Sequence, residues 1–230
     1  MATSDARRPR LSREKVLETA IDLADRKGLD AVTMRNLAAE LGVEAMSLYY
    51  HVANKDELLD AMIETVMEEI NTAVSTITTD DDAGWKATLR QRILTARSVL
   101  LRHPWAPTLF ETRALMTPPV ITYFDAVLGL LREGGLSYDL AHHGMHALGS
   151  RALGFTQELF QPDGQETDEE TEAALMAMAD RFPHLTGMMA EVAHNDADST
   201  LGWCDDQAEF EFGLDLILDG LERLAEPSRR

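Results

Sequence analysis

The sequence predicts an all-α protein, with an N-terminal three-helix unit carrying a helix-turn-helix and a larger helical domain behind it. Three observations carry this. Apolar residues recur at helical spacing through most of the chain, period-two alternation of Val, Ile and Thr is almost absent, and Gly and Pro cut the chain into helix-length pieces. With 230 residues, 45% of them hydrophobic, there is enough apolar surface for a small domain and a larger one.

Ser12 caps a first helix to about Lys27, with Val16, Leu17, Ala20, Ile21 and Ala24 on one face and Gly28 as its stop. Thr33 caps a second, short helix in which Leu37, Ala38 and Leu41 share a side, and Gly42 follows where the chain needs a positive φ. A third runs from about Ala45 to Val52. At 100° per residue Leu48 and Val52 face inward, while Met46, Ser47 and Tyr50 point the opposite way. Two helices joined by a tight Gly turn, the second with a small and aromatic outer face, suit entry into a major groove. Asn54-Lys55-Asp56-Glu57 has the pattern of a capping box. The helix it opens keeps its apolar period from Leu58 to Ile77, so one stiff element leads from the DNA-facing unit into the larger domain.

Asp80 to Gly84 interrupts the pattern, and a helix resumes from about Trp85 to Arg102. Pro104 and Pro107 break it before a short helix to about Leu115, and Thr117-Pro118-Pro119 opens another to Arg132, ended by Gly134-Gly135. Ser137 caps a helix over about Tyr138–Phe160, in which Gly144, Gly149 and Gly154 point either to a close approach by a helix or ligand or to glycines merely tolerated in good packing. Acidic loops, a polar helix near Glu169–Arg181 and a short piece near Leu185–Val192 follow. The last helix, about Asp205–Leu224, carries Phe210, Leu214, Ile217, Leu218, Leu221 and Leu224 as a stripe that another surface must cover. Pairing with the 138–160 helix and two symmetry mates would make an intersubunit four-helix bundle, though burial within one subunit explains the stripe too. The expected domains are a flexible basic arm (1–11), the helix-turn-helix domain (12–57), a larger helical domain (58–226) and a tail (227–230).

The net charge is −19, but its distribution says more than its sum. Residues 1–60 hold 9 Lys/Arg against 11 Asp/Glu, and the remainder 12 against 29. Within the first fifteen residues stand Arg7, Arg8, Arg10, Arg13 and Lys15, against only Asp5 and Glu14. DNA would be repelled everywhere except near that end, which either reaches a minor groove or is a solvated tail. No apolar run resembles a signal peptide or a membrane span, so a cytoplasmic protein without a membrane partner is expected. Cys204 is the lone cysteine, so no internal disulfide can form. No Ser/His/Asp set or Gly-rich phosphate loop stands out, so neither an enzyme nor a cofactor is expected.

The run Leu41-Gly42-Val43-Glu44, Ser47-Leu48-Tyr49-Tyr50-His51-Val52, Asn54-Lys55 and Leu58-Leu59-Asp60-Ala61 resembles the signature of the tetracycline-repressor (TetR) family over roughly 50 residues. Trp85, Leu89-Arg90, His103, Gly135-Leu136-Ser137 and Leu153-Gly154 extend the likeness into the C-terminal domain of the tetracycline-repressor branch. The resemblance implies a transcriptional repressor: a homodimer on a palindromic operator, released by a small molecule. It implies that Arg35 reaches a base edge, guanine suiting its fork, and that Ala45, Met46, Ser47 and Tyr50 face bases, the first two against thymine methyls. Tyr49, His51, Lys55 and Thr33 would meet phosphates.

For the effector, the candidates are His103, Trp105, Phe110, Arg113, Met116, His146, Arg151, Phe155 and Gln157, a few polar groups among aromatics and Met that suit an amphipathic or aromatic ligand. His103 agrees with a family position that helps hold tetracycline's metal ion. Asn71 stands where tetracycline-binding relatives carry a His, and Pro104 departs from the pattern, so a different hydrophobic ligand is expected. The competing reading is a helical metal-binding protein or enzyme that uses His142, His143 and His146. It lacks the acidic neighbour of a His-Glu-x-x-His site.

Overall fold

The computed structural model describes residues 11–77, 84–113, 116–154, 181–184, 186–187 and 206–225. Within them lie nine α-helices: α1 (Arg13–Lys27), α2 (Met34–Leu41), α3 (Ala45–Leu48), α4 (Lys55–Ser75), α5 (Gly84–Leu100), α6 (Ala106–Thr112), α7 (Pro118–Glu133), α8 (Tyr138–Gly154) and α9 (Asp206–Ala225). Residues 1–10 of the basic arm, most of the segments expected helical near Glu169–Arg181 and Leu185–Val192, Cys204, and the continuation of α8 to Phe160 fall outside the described residues.

Each early boundary has a local cause. The Ser12 side chain accepts a hydrogen bond from Lys15 N at 3.2 Å, and Thr33 accepts from Asn36 N at 3.1 Å, each satisfying one free donor of a helix start. Gly42 closes α2 in the left-handed region at φ 66°, which admits the turn that follows. Asn54 accepts from Glu57 N at 2.8 Å, and Glu57 reaches back to Ala53 N at 2.7 Å. The reciprocal cap forms, with its returning bond one residue earlier than in the usual box. α3 differs from expectation: it is helical only over Ala45–Leu48, and Tyr49, Tyr50 and His51 form the turn after it. His51 N and Val52 N both bond Leu48 O, tightening the chain just before extended Asn54 redirects it into α4.

Two cores organise the packing. The first joins Val16, Ala20, Leu37, Leu48 and Val52 from α1–α3 and the turn that follows to Leu58, Met62, Val66 and Ile70 along α4, then to Val99, Trp105, Leu109 and Val120. A boundary at residues 57/58 therefore falls in the first turn of α4 and across continuous hydrophobic packing. The second core gathers Leu89, Ile93, Leu131, Leu148, Phe210, Leu214 and Leu218 from α5, α7, α8 and α9. Gly144 is where α8 and α9 come close, since a Cβ there would stand 3.1 Å from Leu221 Cδ1. Ion pairs of Arg90 with Asp215 at 2.6 Å and Glu211 at 2.7 Å, and of Lys86 with Glu222 at 2.6 Å, fasten α5 along α9. No described helix is long and apolar enough to cross a membrane.

Candidate DNA-reading surface and effector cavity

The head of the molecule presents a surface built by the α2–α3 turn. Leu48 is fully buried and Val52 is 1% exposed, while Met46 is 70% and Tyr50 89% exposed. The inward pair anchors the element and leaves the outward pair open to contact with another molecule. Arg35 on α2, Tyr49 and Lys55 are exposed as well, and Ala45, Ser47, His51 and Thr33 are half-buried beside them. Lys55 opens α4, whose first turn leaves N–H groups free to meet an anion. All nine residues expected at DNA thus lie on α2, α3, the turn that follows, or the adjoining helix starts.

Further along α4 the same helix forms the wall of a cavity of about 480 Å³. Among the described residues, Met67 and Ile70 of α4, Ile93, Ala96 and Leu100 of α5, Phe110 of α6, Val120, Tyr123, Phe124 and Val127 of α7, and Met145 and Leu148 of α8 make it chiefly apolar, and Arg97, His146 and Ser150 add polar groups. Its size and lining suit a small amphipathic or aromatic molecule. Burial pushes the Tyr123 phenol up to about 12, against the pull of the nearby Arg92 guanidinium, so the hydroxyl stays neutral.

The effector candidates separate into groups. Phe110 and His146 line the cavity, and Phe155 and Gln157 lie outside the described residues. His103 and Trp105 are instead buried at the junction of α1, α4 and the α5–α6 connection. His103 Nδ1 lies 2.9 Å from Asp25 Oδ1 and its Nε2 3.1 Å from Glu69 Oε2, and Trp105 Nε1 donates to Asp25 at 2.6 Å. Arg113 pairs with Asp56 at 2.5 Å and with Asp60, at the start of α4. Met116 is exposed, and Arg151 lies over the Phe210 ring, 5.2 Å from its centroid. His103 and Trp105 are thus away from the cavity for a physical reason, because carboxylates on α1 and α4 draw their polar edges to the junction. Asn71 donates to Pro119 O at 2.8 Å, joining α4 to α7 outside the cavity lining.

Sequence reasoning missed Arg97, Tyr123 and Phe124 in the cavity wall. The signal for Arg97 was legible: it falls at a core phase of α5 between Ile93 and Leu100, where a cation is uncommon. The histidines of α8 are exposed, the His142 and His146 rings meeting edge to face at 4.6 Å. Among the described residues no group of three or more His, Cys, Asp or Glu could hold a metal ion.

Comparison with known proteins agrees with this geometry. The profile for bacterial regulatory proteins of the tetR family matches residues 16–62, and that for the tetracyclin repressor-like C-terminal domain matches residues 78–225. The chain is 31% identical to the HTH-type transcriptional repressor DrrR1 of Streptomyces coeruleorubidus, over 96% of this chain and 81% of that one. It is 32% identical to the class C tetracycline repressor protein of Escherichia coli, over 94% and 92% of the two chains. The crystal structure of apo ActR from Streptomyces coelicolor superposes with a TM-score of 0.74 at 28% identity, covering 94% of this chain and 96% of ActR. ActR has also been solved in complex with actinorhodin and with (S)-DNPA. One matching profile alone spans more than half of the sequence, and the chain belongs to the tetR family of DNA-binding transcriptional regulators.

Proposed function

We propose that this protein is a homodimeric repressor that reads a palindromic operator with Met46, Tyr50 and Arg35 and leaves it when a small hydrophobic or aromatic effector enters the α4–α8 cavity. The observation that carries the reading is that α4 belongs to both sites. Its first turns hold the exposed reading surface through Leu58 and Met62, and its later turns place Met67 and Ile70 in the cavity wall. A ligand that displaces that wall tilts the helix and changes the separation of two recognition elements. These must stand one DNA turn apart, ~34–36 Å, to enter successive major grooves. The junction of Asp25, His103 and Glu69, with Arg113 on Asp56, carries the same motion through polar contacts.

The dimer is supported by α9. Phe212, Leu216 and Leu224 stand exposed at four-residue spacing through Gly220, on a helix that packs against α8 where Gly144 meets Leu221. An apolar stripe of this kind is covered when two copies pair α8 and α9 around a two-fold axis. In this reading residues 1–11 are an arm along the DNA, 12–57 the reading domain, 58–226 the effector and dimer domain and 227–230 a tail, acting in the cytoplasm where the operator lies. That ActR is known with bound actinorhodin supports a cavity of this kind responding to a small aromatic molecule.

Linkage tests the proposal. A compound that raises Tm by filling the cavity is expected to weaken duplex binding, and bound duplex must weaken the compound by the same factor. Equal compound affinity with and without operator contradicts release by this route.

A further inference from the structure

α8 turns a row of imidazoles outward. Three of the seven histidines of the chain, His142, His143 and His146, fall within five consecutive residues, and all three are exposed. Ala141, Gly144 and Leu148 take the opposite side of the helix into the packing with α7 and α9. No hydrogen bond or ion pair holds the three rings to a described residue. The DNA-reading surface lies on α2 and α3 and does not use them, and of the three only His146 borders the cavity.

His142 and His146 are four residues apart, the spacing at which side chains meet on a helix surface and at which paired histidines take a zinc ion. Their ring centroids are 4.6 Å apart, with the planes at 84°. Two imidazoles in adjacent positions on one ion, each nitrogen about 2.0–2.1 Å from the metal, bring their ring centres to roughly 4.5–5 Å. The pair already stands at that separation, and rotation about side-chain bonds is enough to aim one nitrogen of each ring at a common point. The His143 ring is farther off, 5.8 Å from that of His142. Asp139, one turn before His142 and His143 on the same side of α8, and the net charge of −19 favour a cation there.

We infer that His142 and His146 form a site for one divalent transition-metal ion, copper(II), nickel(II) or zinc(II), on the outer face of α8, with water in its remaining coordination positions. Imidazole nitrogens suit these ions, whereas magnesium and calcium take oxygen ligands. The ion bridges one turn of α8. The site is separate from the effector reading, since it needs neither a guest in the cavity nor a bound duplex.

The test is titration of copper(II) and of zinc(II), each alone, into the full chain purified without a histidine tag. Calorimetry gives the stoichiometry, and the histidine ring signals in NMR locate the zinc. The tightest class of sites is expected to take one ion per chain, copper more tightly than zinc. Zinc should move the ring signals of His142 and His146 before those of the other histidines. His142→Gln and His146→Gln each lose that class, whereas His143→Gln and His184→Gln keep it. Both target residues are exposed, so the variants hold the fold, and an unchanged Tm without metal checks this. The inference is overturned if no saturable site appears, if the tightest class survives loss of both His142 and His146, or if His143→Gln loses it. Magnesium that displaces zinc at equal concentration overturns it as well, because the ion would then sit on carboxylates.

Discussion

At the scale of single residues, the recognition segment assigns opposite duties to neighbours two positions apart. Leu48 has no exposed surface and fixes the segment, whereas Tyr50 is almost wholly in solvent and contributes little to the fold. Leu48→Ala should cost about 2–5 kcal/mol of stability, the range for truncating a buried Leu. Tyr50→Ala should stay within about 0.5 kcal/mol in stability, as for other exposed sites. It should nevertheless weaken operator binding by ~1–3 kcal/mol, the scale of a lost base contact. Denaturant unfolding and duplex titration of the two variants check this, and a Tyr50→Ala protein that binds as well as the parent removes Tyr50 from the interface. The division was legible from periodicity alone, because Leu48 and Val52 fall one helical turn apart. The turn at Tyr49, Tyr50 and His51 was not, because extended Asn54 ends the helix early and nothing in the spacing of Tyr49 to His51 announces it.

At the scale of elements, α4 was the most readable part of the chain, its cap and its apolar period both written in the sequence. What it touches was not. His103 and Trp105 look like ligand residues in a list of types, and only packing shows that Asp25 from α1 and Glu69 from α4 take up their polar edges. Those carboxylates lie 78 and 34 residues away in sequence, and no local pattern pairs them. Arg97 is the converse case, a residue whose phase within α5 gave it away but whose ring contact with Phe210 depends on α9, 113 residues on.

The junction has a pH signature. Burial pushes the Glu69 carboxyl up, but hydrogen bonds from Arg102 and His103 outweigh it and hold the group below its ordinary 4.5. A carboxyl lowered in the folded state stabilises the fold above its unfolded value and loses that contribution as pH falls through its folded one. The junction should therefore weaken only below about pH 4.5. Glu69→Gln should flatten the dependence of Tm on pH there and leave the neutral range with a smaller, pH-independent loss. An unchanged acid limb would place the titration elsewhere.

At the scale of the whole molecule, charge and symmetry act together. A chain of net charge −19 gains little from non-specific attraction to DNA, so in the proposed dimer affinity would come from a correctly spaced pair of reading heads. In the proposed dimer that spacing would be set by the exposed stripe of Phe212, Leu216 and Leu224 meeting its symmetry mate. The stripe was half-legible: the sequence placed Phe210, Leu214 and Leu218 on an apolar face, and these are buried, but Phe212 and Leu216 lie on the second face that only packing against α8 reveals.

The most direct measurement is selection of random duplexes by the purified protein beside its Leu216→Asp variant, with the mass of each in solution. The unmodified protein is expected to be a dimer that enriches a palindrome with half-sites one turn apart. The variant is expected to be a monomer that keeps the half-site sequence but binds it far more weakly. No enriched sequence at low salt, or a palindrome enriched equally by a monomer, would contradict this reading.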